Sequence, residues 1–200
     1  MTEEFIKINY NFFQWGPFLY KTTMTKEKIH LIKNLCSKKK SKDYRKTLAG
    51  IIRHEYSIDH KKVFPIIFPY LQSYLTAFLE HYNKAMGNKL ELKSSWVNYM
   101  TRFESNPMHV HDDDLSFVLF TQVPEELKEE CAKHPGNQKP GYIHFVYSLN
   151  NRKEQINQHS FFPEVGDLFI FPASLNHYVN SFTSKGERIS ISGNVKVTND

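Results

Sequence analysis

Residues 95–120 read SWVNYMTRFESNPMHVHDDDLSFVLF, and the fold prediction starts from this stretch. Apolar and polar residues alternate near both of its ends, which predicts one strand over residues 95–103 and another over residues 115–120. Between the two strands, two histidines and three aspartates fall within six residues. The stretch therefore predicts a β-rich domain that carries a cluster of potential metal ligands between two strands.

This cluster offers more ligands than one metal ion needs. In an extended chain, the side chains of His109, His111 and Asp113 lie on one side, because successive residues alternate. Imidazole nitrogen and carboxylate oxygen are donors of non-haem iron sites, whereas thiolates would indicate zinc or an iron–sulfur cluster. A solvated acidic turn could contain the same residues. A metal site is indicated only if a distant ligand joins them, and His177 is the natural candidate.

The sequence before His177 predicts where that histidine lies. A Pro-x-x-Gly-Asp turn over residues 163–167 leads into an apolar run, and Pro172 ends the run. Turn residues on both sides of a short apolar segment are typical of a strand. The next strand then begins near His177, which places this side chain at a strand edge.

Arg188 and Ser190 lie two residues apart and therefore share one face of the last predicted strand. A guanidinium group can bind a carboxylate through two parallel hydrogen bonds, and a nearby hydroxyl can add a third. The alternative is a solvated arginine on an edge strand. The flanking Ile189 and Ile191 favour a buried pair that binds a dicarboxylate.

The chain is expected to form a single domain over residues 1–200, with a mainly helical support region at 1–89 and a strand-rich core at 90–200. Thr25 is a predicted helix N-cap, and a second helix is predicted from residue 68 or 69 to near Gly87. A short helix is predicted over 125–133, in a segment (125–141) that could act as a lid. The remaining predicted strands are 142–149, 167–171, 176–182 and 188–197.

The composition is that of a soluble globular protein, with 40% apolar and 24% charged residues. Cys36 and Cys131 are too few for a disulfide framework, so both are expected to be reduced in the cytoplasm, or in a host's cytoplasm if the protein is viral. No apolar run is long enough for a membrane span. A basic patch at Lys38–Lys46 could contact nucleic acid, although the solvated end of a helix is the favoured explanation.

Together, the His-x-His/Asp motif, the distal His177 and Arg188-x-Ser190 resemble the iron(II)/2-oxoglutarate-dependent dioxygenases. Residues 106–111 and 115–118 are similar to small prolyl-hydroxylase-like members that are common in marine viruses and bacteria, and Trp15–Phe18 and Leu48–Gly50 extend the similarity. The resemblance implies a double-stranded β-helix (a cupin-like jelly roll) backed by N-terminal helices. It implies iron(II), 2-oxoglutarate and O2 as reactants, and hydroxylation of a C–H bond with release of succinate and CO2.

Two alternatives remain open for the metal ligands. In the wider superfamily the first pair of ligands is His-x-Asp, which here would be His111 and Asp113. Members of the group that this chain resembles often have His-x-His instead, which here would be His109 and His111. Asp113 is slightly favoured here, because a carboxylate offsets the ferrous charge. Asn98, with Tyr99 beside it, is a further candidate for contact with co-substrate or substrate.

Two alternative functions remain open. The chain could be a three-histidine metalloenzyme that does not use 2-oxoglutarate, or a non-catalytic jelly-roll binding module. The primary substrate, which could be a peptide, an amino acid, a nucleobase or a metabolite, is not indicated by the sequence.

Overall fold

The computed structural model describes residues 16–38, 41–137, 139–148 and 157–199. The strands in these ranges are β1 (Tyr20–Thr23), β2 (Glu55–Ser57), β3 (Lys89–Met100), β4 (Asn106–His109), β5 (Leu115–Gln122), β6 (Ile143–Val146), β7 (Gln158–Phe161), β8 (Asp167–Pro172), β9 (Asn176–Val179) and β10 (Arg188–Thr198). The helices are α1 (Lys26–Lys33), α2 (His60–Tyr82) and α3 (Glu125–Lys133). The longest strands all follow residue 88, as the period-two pattern predicts.

These strands form two antiparallel sheets. The larger sheet has the order β1-β8-β5-β10-β3-β2, and the smaller has the order β4-β9-β6-β7. Strands that are adjacent in a sheet are mostly distant in sequence, so the chain passes back and forth between the sheets, as it does in jelly rolls. The predicted mainly β jelly roll with N-terminal helices is confirmed.

Strand β5 separates two apolar cores. Leu115, Phe117 and Leu119 belong to the core between the larger sheet and the helices, whereas Val118 and Phe120 belong to the core between the two sheets. This alternation follows from the pleat of the strand, which directs successive side chains to opposite faces. Inward-facing residues of the larger sheet therefore meet the smaller sheet, and the candidate site lies in this space.

Helix α2 begins earlier than the sequence predicted and ends at Tyr82, before Gly87. Its N-cap is Asp59, whose side chain accepts a hydrogen bond from the backbone N–H of Lys61 (3.1 Å). Two prolines lie inside the helix, and the apolar contacts of one buried stripe offset the hydrogen bonds that proline cannot make. That stripe consists of Val63, Ile67, Leu71 and Tyr74. Among the described residues, no helix is long and apolar enough to cross a membrane.

Several strand bounds differ from the sequence predictions. Strand β3 starts at Lys89, six residues earlier than predicted, because β10 pairs with its entire length. It ends before Phe103, whose positive φ of 66° interrupts the extended chain. Strands β1, β2, β4 and β7 were not predicted, and β1 and β2 come from the region expected to be mainly helical. Trp15 and Leu149 lie outside the described residues.

Helix α3 spans the predicted residues and is docked against the loop after β9. The carboxylate of Glu130 accepts hydrogen bonds from the backbone N–H groups of Thr183 (2.9 Å) and Ser184 (2.8 Å). Leu127 and Cys131 are buried on its inner face. The chain then returns through Gly141, close to Arg188, so α3 helps to position one wall of the candidate site.

Candidate active site

Three histidines meet at the edge of the smaller sheet. His109, the last residue of β4, lies directly opposite His177 of β9 in the antiparallel register. His111 follows two residues later and is held by its backbone N–H, which donates to the carbonyl oxygen of Ala173 (2.8 Å). One ligand nitrogen from each imidazole lies within 4.8 Å of the others. This spacing is suitable for three donors that share one metal ion.

Backbone carbonyls orient two of these rings. Nδ1 of His109 lies 2.7 Å from the carbonyl oxygen of Pro107, and Nδ1 of His177 lies 2.9 Å from that of Leu175. A carbonyl can only accept, so Nδ1 of each ring carries the proton and donates it. In the neutral ring Nε2 then keeps its lone pair for a metal, and histidine ligands commonly donate their other ring N–H in this way.

Burial keeps the three imidazoles neutral. It lowers the pKa of His111 to about 4, with a further contribution from the nearby His109. It also lowers the pKa of His109, and it lowers that of His177 well below the usual value. Only a neutral imidazole has a free lone pair, so the three rings are in the form that binds metal at neutral pH.

The lowered pKa of His111 makes the stability of the metal-free protein depend on pH. Between about pH 4 and 6.5, the unfolded chain binds a proton at this residue that the folded chain does not bind. The free energy of unfolding should therefore rise with pH across this window, by up to about 1.4 kcal/mol per pH unit for each such histidine. Denaturant titrations should show a shallower rise for His111→Gln than for the wild type. Equal slopes for wild type and His111→Gln would contradict the assignment.

Asp113 does not join the three imidazoles. Strand β4 ends at His109, and residues 112–114 form a bend, so the alternation that would place Asp113 beside His111 stops before it. Its neighbour Asp114 accepts a hydrogen bond from the backbone N–H of Val197 (2.8 Å), which holds the bend against β10. The geometry therefore favours His109 over Asp113, contrary to the preference drawn from the sequence.

Arg188 is buried in the same cavity without a counter-ion. Its side chain is 2% exposed, and in the described part of the chain it forms no ion pair. One terminal nitrogen donates to the carbonyl oxygen of Gly141 (3.0 Å), whereas Nε has no hydrogen-bond partner. The guanidinium lies over the ring of Phe120, and burial lowers its pKa to about 9. A buried cation of this kind favours an anionic ligand.

Asn98 and Ser190 lie opposite each other on β3 and β10 and line the cavity with Arg188 and the histidines. Both are buried, and Oδ1 of Asn98 has no hydrogen-bond partner among the described residues. Tyr99 instead belongs to the core on the helix side of the sheet, so it does not contact this cavity. The residues that the sequence predicted for the site thus line one cavity, except for Asp113 and Tyr99.

Three residues of this region were not predicted. Trp96 and Ser192 share the inner face with Asn98 and Ser190, and the period-two pattern would have identified both. Asn106 opens β4 and lines the same cavity. His144 is fully buried, and its Nδ1 lies within hydrogen-bond distance of Oγ of Ser160 (2.7 Å).

The basic patch is partly neutralised. Lys38 forms an ion pair with Glu187, and Arg45 forms one with Asp43 (2.6 Å). Lys39 and Lys40 lie outside the described residues. The described part of the patch therefore carries less uncompensated charge than the sequence suggests.

A jelly roll that encloses three clustered imidazoles and a buried guanidinium has the features of a non-haem iron oxygenase. The sequence leads to the same class, because the family model for 2OG-Fe(II) (2-oxoglutarate and iron(II)) oxygenases matches residues 94–194, half of the chain. The protein belongs to this family. No curated protein is significantly similar to it in sequence.

Solved structures with the same fold include enzymes from bacteria and a virus. A prolyl 4-hydroxylase from Pseudomonas putida is 14% identical with a TM-score of 0.56, and the match covers 90% of this chain and 92% of that one. A viral collagen prolyl hydroxylase from Paramecium Bursaria Chlorella virus-1, in complex with 2OG, is 13% identical with a TM-score of 0.54 and coverages of 90% and 96%. HygX from Streptomyces hygroscopicus, with nickel and 2-oxoglutarate bound, is 10% identical with a TM-score of 0.52 and coverages of 92% and 83%. At these identities the likeness is one of fold.

Proposed function

We propose that this oxygenase binds iron(II) through His109, His111 and His177, and that Arg188, assisted by Ser190, binds the distal carboxylate of 2-oxoglutarate. With O2 it hydroxylates a C–H bond of a primary substrate. The observation that carries the proposal is the guanidinium of Arg188, buried without a counter-ion in the cavity that the three imidazoles line.

The residues fit both groups. Three neutral nitrogen donors suit a ferrous ion, and the unpartnered Nε of Arg188 leaves a donor for a carboxylate. Oδ1 of Asn98, also unpartnered among the described residues, can accept a hydrogen bond. The space between these groups is narrow, about 30 Å³, so we expect the side chains around it to move when 2-oxoglutarate binds.

Each protein group has a separate task in this proposal. The imidazoles of His109, His111 and His177 would hold the metal. Arg188 fixes the far end of the co-substrate, and the apolar wall around Phe120 excludes water and strengthens the ion pair. When bound, iron(II) and 2-oxoglutarate supply the oxidising chemistry: O2 places one oxygen atom in the substrate C–H bond and the other in succinate, and CO2 is released.

The assignment of His109 is tested against Asp113. Loss of a group that only hydrogen-bonds to a metal ligand lowers metal affinity by roughly 10–100-fold. Replacing His109 with Ala would remove a direct ligand, so it should lower iron(II) affinity by more than this. Asp113→Ala should leave affinity nearly unchanged. Anaerobic iron(II) titration of the two variants measures both effects, and the reverse order would show that the carboxylate is the ligand.

A further inference from the structure

A second cavity is lined by two of the three histidines, His109 and His111, and contains a buried carboxylate. It has a volume of about 170 Å³, and the carboxylate is that of Glu55 in β2. Glu55 is 1% exposed, and neither of its oxygens has a hydrogen-bond partner among the residues that the structure describes. Burying a charged group without partners is costly, so this carboxylate favours a ligand that can donate to it.

The pairing of the strands explains why Glu55 faces the active site. Glu55 lies opposite Asn98, and Asn98 lies opposite Ser190, so three adjacent strands carry one row of polar side chains. Side chains of directly opposed residues point to the same face of a sheet. Glu55 thus extends the row that begins at the proposed co-substrate site.

The second cavity shares four lining residues with the cavity that contains Arg188. Trp96, Asn106, His109 and His111 line both, and Leu48, Ala49 and Val110 add apolar surface to the second. A group that occupies the Glu55 cavity would therefore lie next to the proposed iron ligands.

No cation in the described residues neutralises Glu55. Arg45, whose charge lowers the pKa of Glu55, is exposed and forms an ion pair with Asp43 (2.6 Å). Glu104, a second buried acid, accepts hydrogen bonds from the backbone N–H groups of Thr101 (2.7 Å) and Arg53 (3.0 Å). Burial and repulsion by Glu104 raise the pKa of Glu55 to about 7. A bound cation would offset both effects.

We propose that this cavity binds the alkylammonium group of the primary substrate, between the carboxylate of Glu55 and the indole of Trp96. This inference rests on the proposed function, and it names the chemical class of the substrate for that site. A carboxylate combined with an aromatic face is suited to a cationic nitrogen, because charge pairing and cation–π attraction add. A cavity of roughly 150 Å³ can hold a benzene molecule, so a short alkylamine fits. The ammonium end anchored at Glu55 would place neighbouring C–H bonds beside the metal.

Calorimetric titration with n-butylammonium chloride, 1-butanol and butyramide tests the proposal. We expect the ammonium ion to bind at least about tenfold more tightly than either neutral probe, because a charge-assisted hydrogen bond is replaced by a neutral one or lost. Glu55→Gln should remove this preference, and the same change at the exposed Glu91 should preserve it. No binding of any probe, equal binding of the three, or an unchanged preference in Glu55→Gln would overturn the proposal. Tighter binding of butyramide would overturn it too, since it would indicate a protonated acid that donates to a carbonyl.

The titrations are made on the metal-free protein and again, under anaerobic conditions, with iron(II) and 2-oxoglutarate. Glu55→Gln should retain iron and co-substrate binding, because it contributes to neither. Ammonium selectivity without iron binding would contradict the proposed function and support the cation site. Iron binding without ammonium selectivity would contradict the cation site alone.

Discussion

Replacing Arg188 with Ala is expected to weaken 2-oxoglutarate binding by roughly 3–5 kcal/mol, or about a hundredfold or more in Kd. Without Arg188, the described residues that line the cavity include no arginine or lysine to bind the carboxylate of the co-substrate. Iron binding should be retained, because Arg188 is not one of the three clustered imidazoles. Titration of 2-oxoglutarate into the anaerobic iron(II) protein measures the effect.

Two further variants separate binding from folding. Arg188→Lys keeps the charge but loses the planar donor fork, so it should show an intermediate affinity. Arg102→Ala removes an exposed arginine and should bind 2-oxoglutarate as the wild type does. An Arg188→Ala protein that is folded and has unchanged affinity would refute the assigned role.

Replacing His177 with Ala should abolish stoichiometric iron binding while the fold is largely retained. His177 lies opposite His109 at the centre of the cluster, and its ring is already oriented by the carbonyl of Leu175. Loss of one of three ligands leaves too few donors to hold the ion against water. Iron content after anaerobic reconstitution measures the effect.

The exposed His30 provides the matched control, since His30→Ala removes an imidazole far from the cluster in the sequence. It should bind one iron per chain, as the wild type should. Retained iron in a folded His177→Ala protein would rule out His177 as an essential ligand.

Much of the core could be predicted because its strands are buried on defined faces. The alternation over Leu115–Phe120 corresponds to two separate apolar cores, and the pair Arg188 and Ser190 shares the inner face as expected. Helix α2 was predicted to start too late because Pro69 is typical of a first turn, whereas Pro65 and Pro69 both lie inside the helix. The buried stripe that continues through both prolines becomes apparent only when the helix packs on the sheet.

The proposed metal ligands show where the alternation of side chains stops being a guide to structure. Alternation of side chains places Asp113 on the same side as His111 only if the strand continues, and the bend at residues 112–114 interrupts the extended chain. The pairing of His109 with His177 depends on the register of two distant strands, which local pattern does not determine. The burial of Glu55 beside the site could not be predicted from the sequence, because β2 has only three residues and forms by pairing with the edge of β3.

An anaerobic crystal structure with iron(II) and 2-oxoglutarate tests the assignment of the active site most directly. It should show iron bound by the imidazoles of His109, His111 and His177, with the distal carboxylate of 2-oxoglutarate bound by Arg188. Iron bound by Asp113 in place of His109, or 2-oxoglutarate bound away from Arg188, would contradict the assignment.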